Sequence, residues 1–265
     1  MRTVVGTLFL WLLIFSCKNE EIKVNYLQKE EVQLVQPRIM ASSMVIDSFV
    51  TIKADRNIDG AEIFYSDDGS EPTRNSTQFI EKIKIKEPKE LKFKAFHNNF
   101  KASETASIKL YKKGYSASDI KWFTNVHEKY KGVGSFTLIN GKKASLEYNN
   151  PEWMGFDTIA KAIVKFHKKT HIKSIDIGYL NDPASWIFPP TEIEIIIKNV
   201  TVQHFNFRIE PLVEMTNRAM VTFNMPINQE VIALTITLKN VQEIPDWHDG
   251  KGNRAWLFMD EWIFN

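Results

Sequence analysis

The residues whose types could do chemistry gather in a few stretches. The densest is Pro245 to Arg254, P-D-W-H-D-G-K-G-N-R, which sets an aromatic ring, an imidazole, carboxylates and a guanidinium among glycines. Turn chemistry of this kind sits on surfaces, where binding groups concentrate. It runs directly into Ala255 to Asn265, apolar except for the adjacent carboxylates Asp260 and Glu261. Two more polar, aromatic-rich loops are Glu147 to Asp157 (E-Y-N-N-P-E-W-M-G-F-D) and Asn181 to Pro190 (N-D-P-A-S-W-I-F-P-P). Signatures of reaction chemistry do not appear. The six histidines lie far apart without His-Glu-x-x-His spacing, and there is no glycine-flanked serine elbow or phosphate loop.

These groups need a scaffold, and the hydropathy pattern supplies one. With 265 residues the chain has room for two modest domains, each with its own core. From Pro37 to about Tyr111, short segments alternate apolar and polar residues: Ser48 to Lys53, Ala61 to Ser66, Lys82 to Ile85 and Leu91 to Phe96. Turn residues separate them, notably Asp67-Asp68-Gly69-Ser70-Glu71-Pro72-Thr73, which predicts a small β-sandwich over 37–111. Residues 112–132 read as a linker and lead-in segment. Over 133–265 the predicted strands are Ala160 to Phe166, Ile172 to Tyr179, Thr191 to Lys198, Gln203 to Glu210, Ala219 to Phe223, Val231 to Lys239 and Ala255 to Phe264, enough for a jelly roll. Ile193, Ile195 and Ile197 alternate with Glu192, Glu194, Ile196 and Lys198, and Leu234, Ile236 and Leu238 with threonines and Lys239, marking one buried face per strand. The last strand is too apolar to stand as an open edge and is expected to close the sheet. The fold class is all-β, two sandwiches in series.

This scaffold sets expectations for individual side chains. Trp186, Trp256 and Trp262 lie in strand-like runs and read as core, whereas Trp247, among Pro, Asp, His and Gly, reads as exposed. In an extended strand Asp260 and Glu261 point to opposite faces, so at most one is expected to face inward. Lys plus Arg number 34 against 32 Asp plus Glu, with no basic stripe, which excludes nucleic acid as the expected partner.

The single cysteine, Cys17, directly follows an apolar run from Val4 to Phe15, the length of a signal-peptide core and short for a membrane span. Leu13-Ile14-Phe15-Ser16-Cys17 resembles a bacterial lipobox, so residues 1–16 read as a lipoprotein signal peptide, Cys17 as the lipidation site and 17–36 as a tether. Lys18-Asn19-Glu20-Glu21 resembles the surface-export signal of Bacteroidetes lipoproteins. The implied address is the outer membrane, lipid-anchored and facing the cell surface, with the periplasmic face as the alternative.

Beyond the anchor, I-F-Y-S-D-D-G-S-E-P-T with Ser76, Leu91 to Ala95 and Ser103-Glu104 resembles the C-terminal β-sandwich of chitobiase and β-hexosaminidase-type enzymes, a small Ig-like spacer in which Asp68 and Glu71 are structural. The later segments Trp153 to Phe156, Ile172 to Gly178, Trp186 to Pro189 and Ile244 to Glu261 resemble the discoidin-like, galactose-binding-like module appended to family 20 hexosaminidases and other Bacteroidetes glycosidases. The catalytic barrel of those enzymes has no counterpart here, and the chain is read as non-enzymatic. Binding a sugar needs an aromatic plane against the pyranose and fixed polar groups for its hydroxyls. Tyr148, Trp153, Trp247, His248 and Arg254 are the candidates, provided their loops converge. The resemblance requires no cofactor, but it admits a structural calcium held by Glu261 with Asp157 and Asn150 as contributors. The expected role is glycan capture or adhesion. The alternatives are an envelope lipoprotein that binds a protein, such as a partner glycosidase, and a small glycoside hydrolase, because a carboxylate pair needs only proximity in space.

Overall fold

A computed structural model of the protein describes residues 31–56, 58–199 and 201–265. Cys17 and the signal-peptide reading lie outside these residues. Among the described residues no helix is long and apolar enough to cross a membrane.

The first unit uses β1 (Arg38–Ala41), β2 (Val45–Ile46), β3 (Val50–Asp55), β4 (Glu62–Ser66), β5 (Thr77–Phe79), β6 (Lys82–Ile85), β7 (Glu90–Phe96), β8 (Ala106–Lys109) and β9 (Tyr111–Lys112). Three strands in the order β1-β3-β6 face four in the order β5-β4-β7-β8, and β2 pairs in parallel with β9. Alternation decides what is inside: Leu91, Phe93 and Ala95 are buried, and they pack with Val50, Ile52, Ile63 and Phe79. In the turn after β4, Gly69 takes a φ of 85°, a conformation that favours glycine. The Asp68 carboxylate accepts from the Ser70 amide and hydroxyl, and Glu71 accepts from Thr105 and Lys92. Both acids are thus engaged in holding the turn.

The second unit comprises β10 (Asp119–Trp122), β11 (Met154–Phe156), β12 (Ala160–Asn181), β13 (Glu192–Lys198), β14 (Val202–Arg208), β15 (Ala219–Lys239) and β16 (Leu257–Phe264). β10 falls in the stretch read as linker and lead-in; it pairs with β12, and its Ile120 joins the distal core. The segments expected as separate strands are continuous here. β12 and β15 form one antiparallel ladder 22 and 21 residues long, with register shifts between Lys165 and Thr170 and between Ile172 and Ser174. Such shifts bend a ladder. The first half of β12 and the second half of β15 carry β10, β13 and β14; the remaining halves carry β16 and β11. Ile195, Val164 and Ile236 of one half meet Ile177, Met225, Trp262 and Phe264 of the other in one core.

β16 is buried along its whole length, as a closing strand between β11 and β12 should be. It also carries an irregularity. Ile177 pairs with Trp262 but Tyr179 pairs with Met259, so Asp260 and Glu261 together stand opposite Gly178. The extra residue reverses the side-chain alternation. Leu257 and Met259 face the core before it, Trp262 and Phe264 after it. Asp260 and Glu261 therefore both lie on the outer face, and both are buried beneath the loop around Gly141 to Ala144. This corrects the expectation that the two would point to opposite faces.

The pattern on β13 gives a direct check. Ile195 is fully buried and Ile196 only partly. Ile195→Ala is expected to destabilise the protein by about 2–5 kcal/mol, and Ile196→Thr by less than about 1 kcal/mol, measured by urea unfolding.

Candidate functional site

Three loops of the distal sandwich converge at one end: 182–191 between β12 and β13, 209–218 between β14 and β15, and 240–256 between β15 and β16. Phe188, Leu212, Val241, Ile244, Trp247 and Ala255 form a small core among them. The predicted Trp-His pair belongs to this framework. Trp247 is half-buried, packs on Phe188 and donates its indole N–H to the Leu212 carbonyl at 3.1 Å. His248 is buried, its Nδ1 accepting from the Gly250 amide at 2.8 Å and its Nε2 donating to the Pro183 carbonyl at 3.0 Å. With both nitrogens engaged, His248 has no group left for a ligand, which corrects its assignment.

Trp153 is corrected for a similar reason. It is 2% exposed, packs with Ala144, Leu180, Ile187 and Phe258, and donates to the Ser145 carbonyl at 2.9 Å. Tyr148 is exposed on the loop that Trp153 anchors. Asn150 spends its side chain inside that loop, accepting from the Glu152 amide and donating to Ser145. Arg254 is exposed and lies 3.8 Å from Asp157 across a shallow cleft of about 290 Å³. A separate cleft of about 390 Å³ runs between Phe188, Pro211, Leu212 and Pro245.

What the framework presents is Trp186, the one tryptophan exposed among the described residues, at 40%. This corrects the expectation, drawn from its strand-like neighbours, that Trp186 belongs to the core. Its loop is a tight unit: Asp182 and Ile187 exchange backbone hydrogen bonds at 3.0 and 3.1 Å, and the Trp186 amide donates to Pro183 at 2.7 Å. To close this unit Trp186 adopts φ 65°, ψ 22°, a left-handed conformation costing an L-residue roughly 1–2 kcal/mol. Its carbonyl then accepts from the Trp256 amide, tying the unit to the start of β16. Gly250 backs the indole; a Cβ there would lie 2.9 Å from the ring. The glycine-rich stretch Pro245 to Arg254 thus acts as the seat of an aromatic residue contributed by another loop. The local sequence W-I-F-P-P hid this, because backbone handedness leaves no hydropathy signal.

Polar groups flank the ring's loop. Asp182, buried, accepts from Arg218 Nε at 2.8 Å, which fixes a partly exposed guanidinium beside the loop. Asn181 donates to Thr216, while its carbonyl oxygen is buried without a hydrogen-bond partner. Val213 and Met215 stand exposed on the same 209–218 loop.

In the middle of β16, Asp260 accepts from Lys143 Nζ at 2.6 Å and from the Ala144 amide at 3.1 Å. Burial pushes its carboxyl up, against the opposing pull of Lys143 and that amide. Glu261 accepts from the amides around Gly141 and Lys142, and its Oε2 is buried without a partner. Burial pushes Glu261 up to about 8. Glu261 lines a cavity of about 190 Å³ between the segment Lys113 to Ala117 and the turn Ile139 to Gly141. Asp157 and Asn150 are not brought to it, and among the described residues no group of three or more His, Cys, Asp or Glu is placed to hold a metal.

Residues 44–107 match the family model of the chitobiase/beta-hexosaminidase C-terminal domain. The match lies within the first sandwich. Among solved structures, the chain is similar to CpGH89CBM32-4 of Clostridium perfringens in complex with GlcNAc-α-1,4-galactose, at 10% identity and TM-score 0.35 over 56% of this chain and 90% of that one. It is similar to the C-terminal domain of a chitobiase from Bacteroides fragilis, at 14% identity and TM-score 0.34 over 57% of this chain and 95% of that one. A SusE-like protein aligns at 12% identity and TM-score 0.34 over 86% of this chain and 95% of that one. No curated protein matches the chain.

Glu261 gives a pH prediction. Its folded value of about 8 lies above its ordinary value of 4.5, so the folded state holds the proton that the unfolded state gives up. The contribution to stability is present below pH 4.5 and is lost as pH rises towards 8. Glu261→Gln is expected to raise the melting temperature at pH 8.5 relative to the parent and to flatten its decline between about pH 5 and 8, measured by thermal unfolding across that range.

Proposed function

We propose that this chain is a non-catalytic, membrane-tethered module that captures glycans at the loop end of its distal sandwich, with Trp186 as the stacking surface. The observation that carries this reading is the conformation of Trp186: a bulky residue held in a costly left-handed backbone, 40% exposed and with a glycine behind its ring. A ring exposed against its hydrophobic preference, on a backbone that disfavours it, is the kind of local strain that clusters at ligand clamps. An indole offers the flat apolar surface that the C–H face of a pyranose needs, and a positioned guanidinium offers donors for its hydroxyls. Arg218 supplies the latter, with Thr216 on the same loop and Tyr148 on its own.

The accessory-domain match over 44–107 supports a spacer role for the first sandwich. On this reading Cys17 carries the lipid and the residues between it and Val32 are the tether. This is shorter than the 17–36 expected, because Gln33 and Leu34 pair with Lys101 and Leu34 is buried in the first sandwich. The two sandwiches then hold the Trp186 face out from the membrane. A second reading has one specific observation in its favour. Val213 and Met215, 77% and 51% exposed beside Arg218, would suit a protein partner such as a neighbouring glycosidase.

The test is a glycan array followed by calorimetry with the saccharides it retains. Trp186→Ala is expected to weaken binding at least about tenfold while leaving the melting temperature within a few degrees. Trp247→Ala should lower the melting temperature instead, because it removes framework packing. Retained affinity in Trp186→Ala would overturn the assignment. Silence of the parent protein across the array, with capture of a glycosidase through Val213 and Met215, would favour the second reading.

A further inference from the structure

The most heavily built polar site outside the loop end is the one around Lys143. Its side chain is 2% exposed and that of Asp260 is 0% exposed, with Nζ and Oδ1 2.6 Å apart. The ammonium also lies over the Tyr111 ring, 5.0 Å from its centre. Tyr111 belongs to β9 of the first sandwich, and its hydroxyl lies 2.8 Å from Thr222 Oγ1 on β15 of the second. Opposite the pair, Gly178 leaves the necessary room: a Cβ there would fall 1.8 Å from Asp260 Oδ1 and 2.1 Å from Lys143 Nζ. Lys143, Asp260, Gly178 and Tyr111, drawn from four separate segments, are thus fitted to one another.

The donor set decides what this site can hold. A calcium ion takes six to eight oxygens. The groups presented to Asp260 and Glu261 are N–H donors: the Lys143 ammonium and the amides of Gly141, Lys142 and Ala144. At Asp260 their positive ends occupy the side from which a metal would approach. Glu261 keeps one buried oxygen, Oε2, unpartnered beside its cavity, but among the described residues no group of three or more His, Cys, Asp or Glu gathers there to complete an oxygen shell. Asp157 is turned towards Arg254, and the Asn150 carbonyl oxygen accepts from its own loop. These residues do not fit a calcium ion.

We propose that Lys143 is the structural cation of the distal sandwich. It neutralises Asp260 on the closing strand and holds Tyr111 of the first sandwich against it, so that neither the fold nor the junction depends on calcium. The same junction is reinforced by the linker. Lys113 donates to Ile46 and Tyr115 to Phe264, and Gly114 lies too close to Phe264 for a side chain. The two sandwiches are therefore joined by a fixed seam.

The experiment uses the full chain and three measurements. The melting temperature of the parent protein in calcium and in EDTA should agree within about 1 °C, since a ligand that binds only the folded state would raise it by mass action. Lys143→Met should lower it by about 10 °C, because it strands a buried carboxylate, and adding Asp260→Asn to that variant should restore part of the loss. Chymotryptic cleavage at Tyr111 and Tyr115 should be slow in the parent and faster in Lys143→Met. If Lys143→Met fails to fold, the double variant and Gly178→Ala carry the test. The double variant should fold, and Gly178→Ala should be destabilised like Lys143→Met. Saturable calcium binding that stabilises the parent would overturn the proposal. So would a Lys143→Met protein as stable as the parent, or a double variant less stable than Lys143→Met.

Discussion

Asp260 sets the constraint on which much of the distal sandwich depends. A carboxylate fully removed from water needs a positive partner at bonding distance, and one stranded without it costs several kcal/mol. Here the irregularity opposite Gly178 turns Asp260 to the outer face of β16, the loop around Lys143 covers it, and the ammonium closes the pair at 2.6 Å. Each part depends on the others. A side chain at position 178 would leave no room for the pair, and regular pairing would turn one of the two carboxylates into the apolar core.

The loop end obeys a different economy. Its framework is apolar and satisfied: Trp247 and His248 have no donor or acceptor left over, and Phe188, Ile244 and Ala255 fill the space between them. Against this packed background Trp186 adopts a left-handed backbone and stays partly exposed, with Gly250 behind its ring. Preorganised aromatic surfaces bind with less loss of side-chain entropy than mobile ones. The contacts of Tyr111 with Lys143 and Thr222, and of Tyr115 with Phe264, extend the same principle to the junction between the sandwiches.

How much of this was legible in the sequence depends on the range of the signal. The alternation of Ile193, Ile195 and Ile197, or of Leu91, Phe93 and Ala95, is local and periodic, and the burial follows it. The turn Asp67 to Thr73 carried its own chemistry and matched a known accessory domain. Continuity of β12 was not legible, because His167, Lys168 and Lys169 interrupt the apolar period where the ladder bends. The outer-face position of Asp260 and Glu261 depends on one extra residue in a register, and a strict period of two assigns it wrongly. Lys143 looked like any solvated lysine, since its partner lies 117 positions away. Trp186 was hidden by apolar neighbours, and only the backbone dihedral shows that its ring turns outward.

The central functional claim is that a saccharide is held on the Trp186 ring at the loop end. The most direct measurement follows the indole N–H resonances of isotope-labelled protein during titration with saccharides. The Trp186 resonance is expected to shift first and saturably, while those of buried Trp153 and Trp262 stay in place. Saturable shifts that leave Trp186 unmoved, or the absence of any shift across galacto- and gluco-configured oligosaccharides, would contradict it.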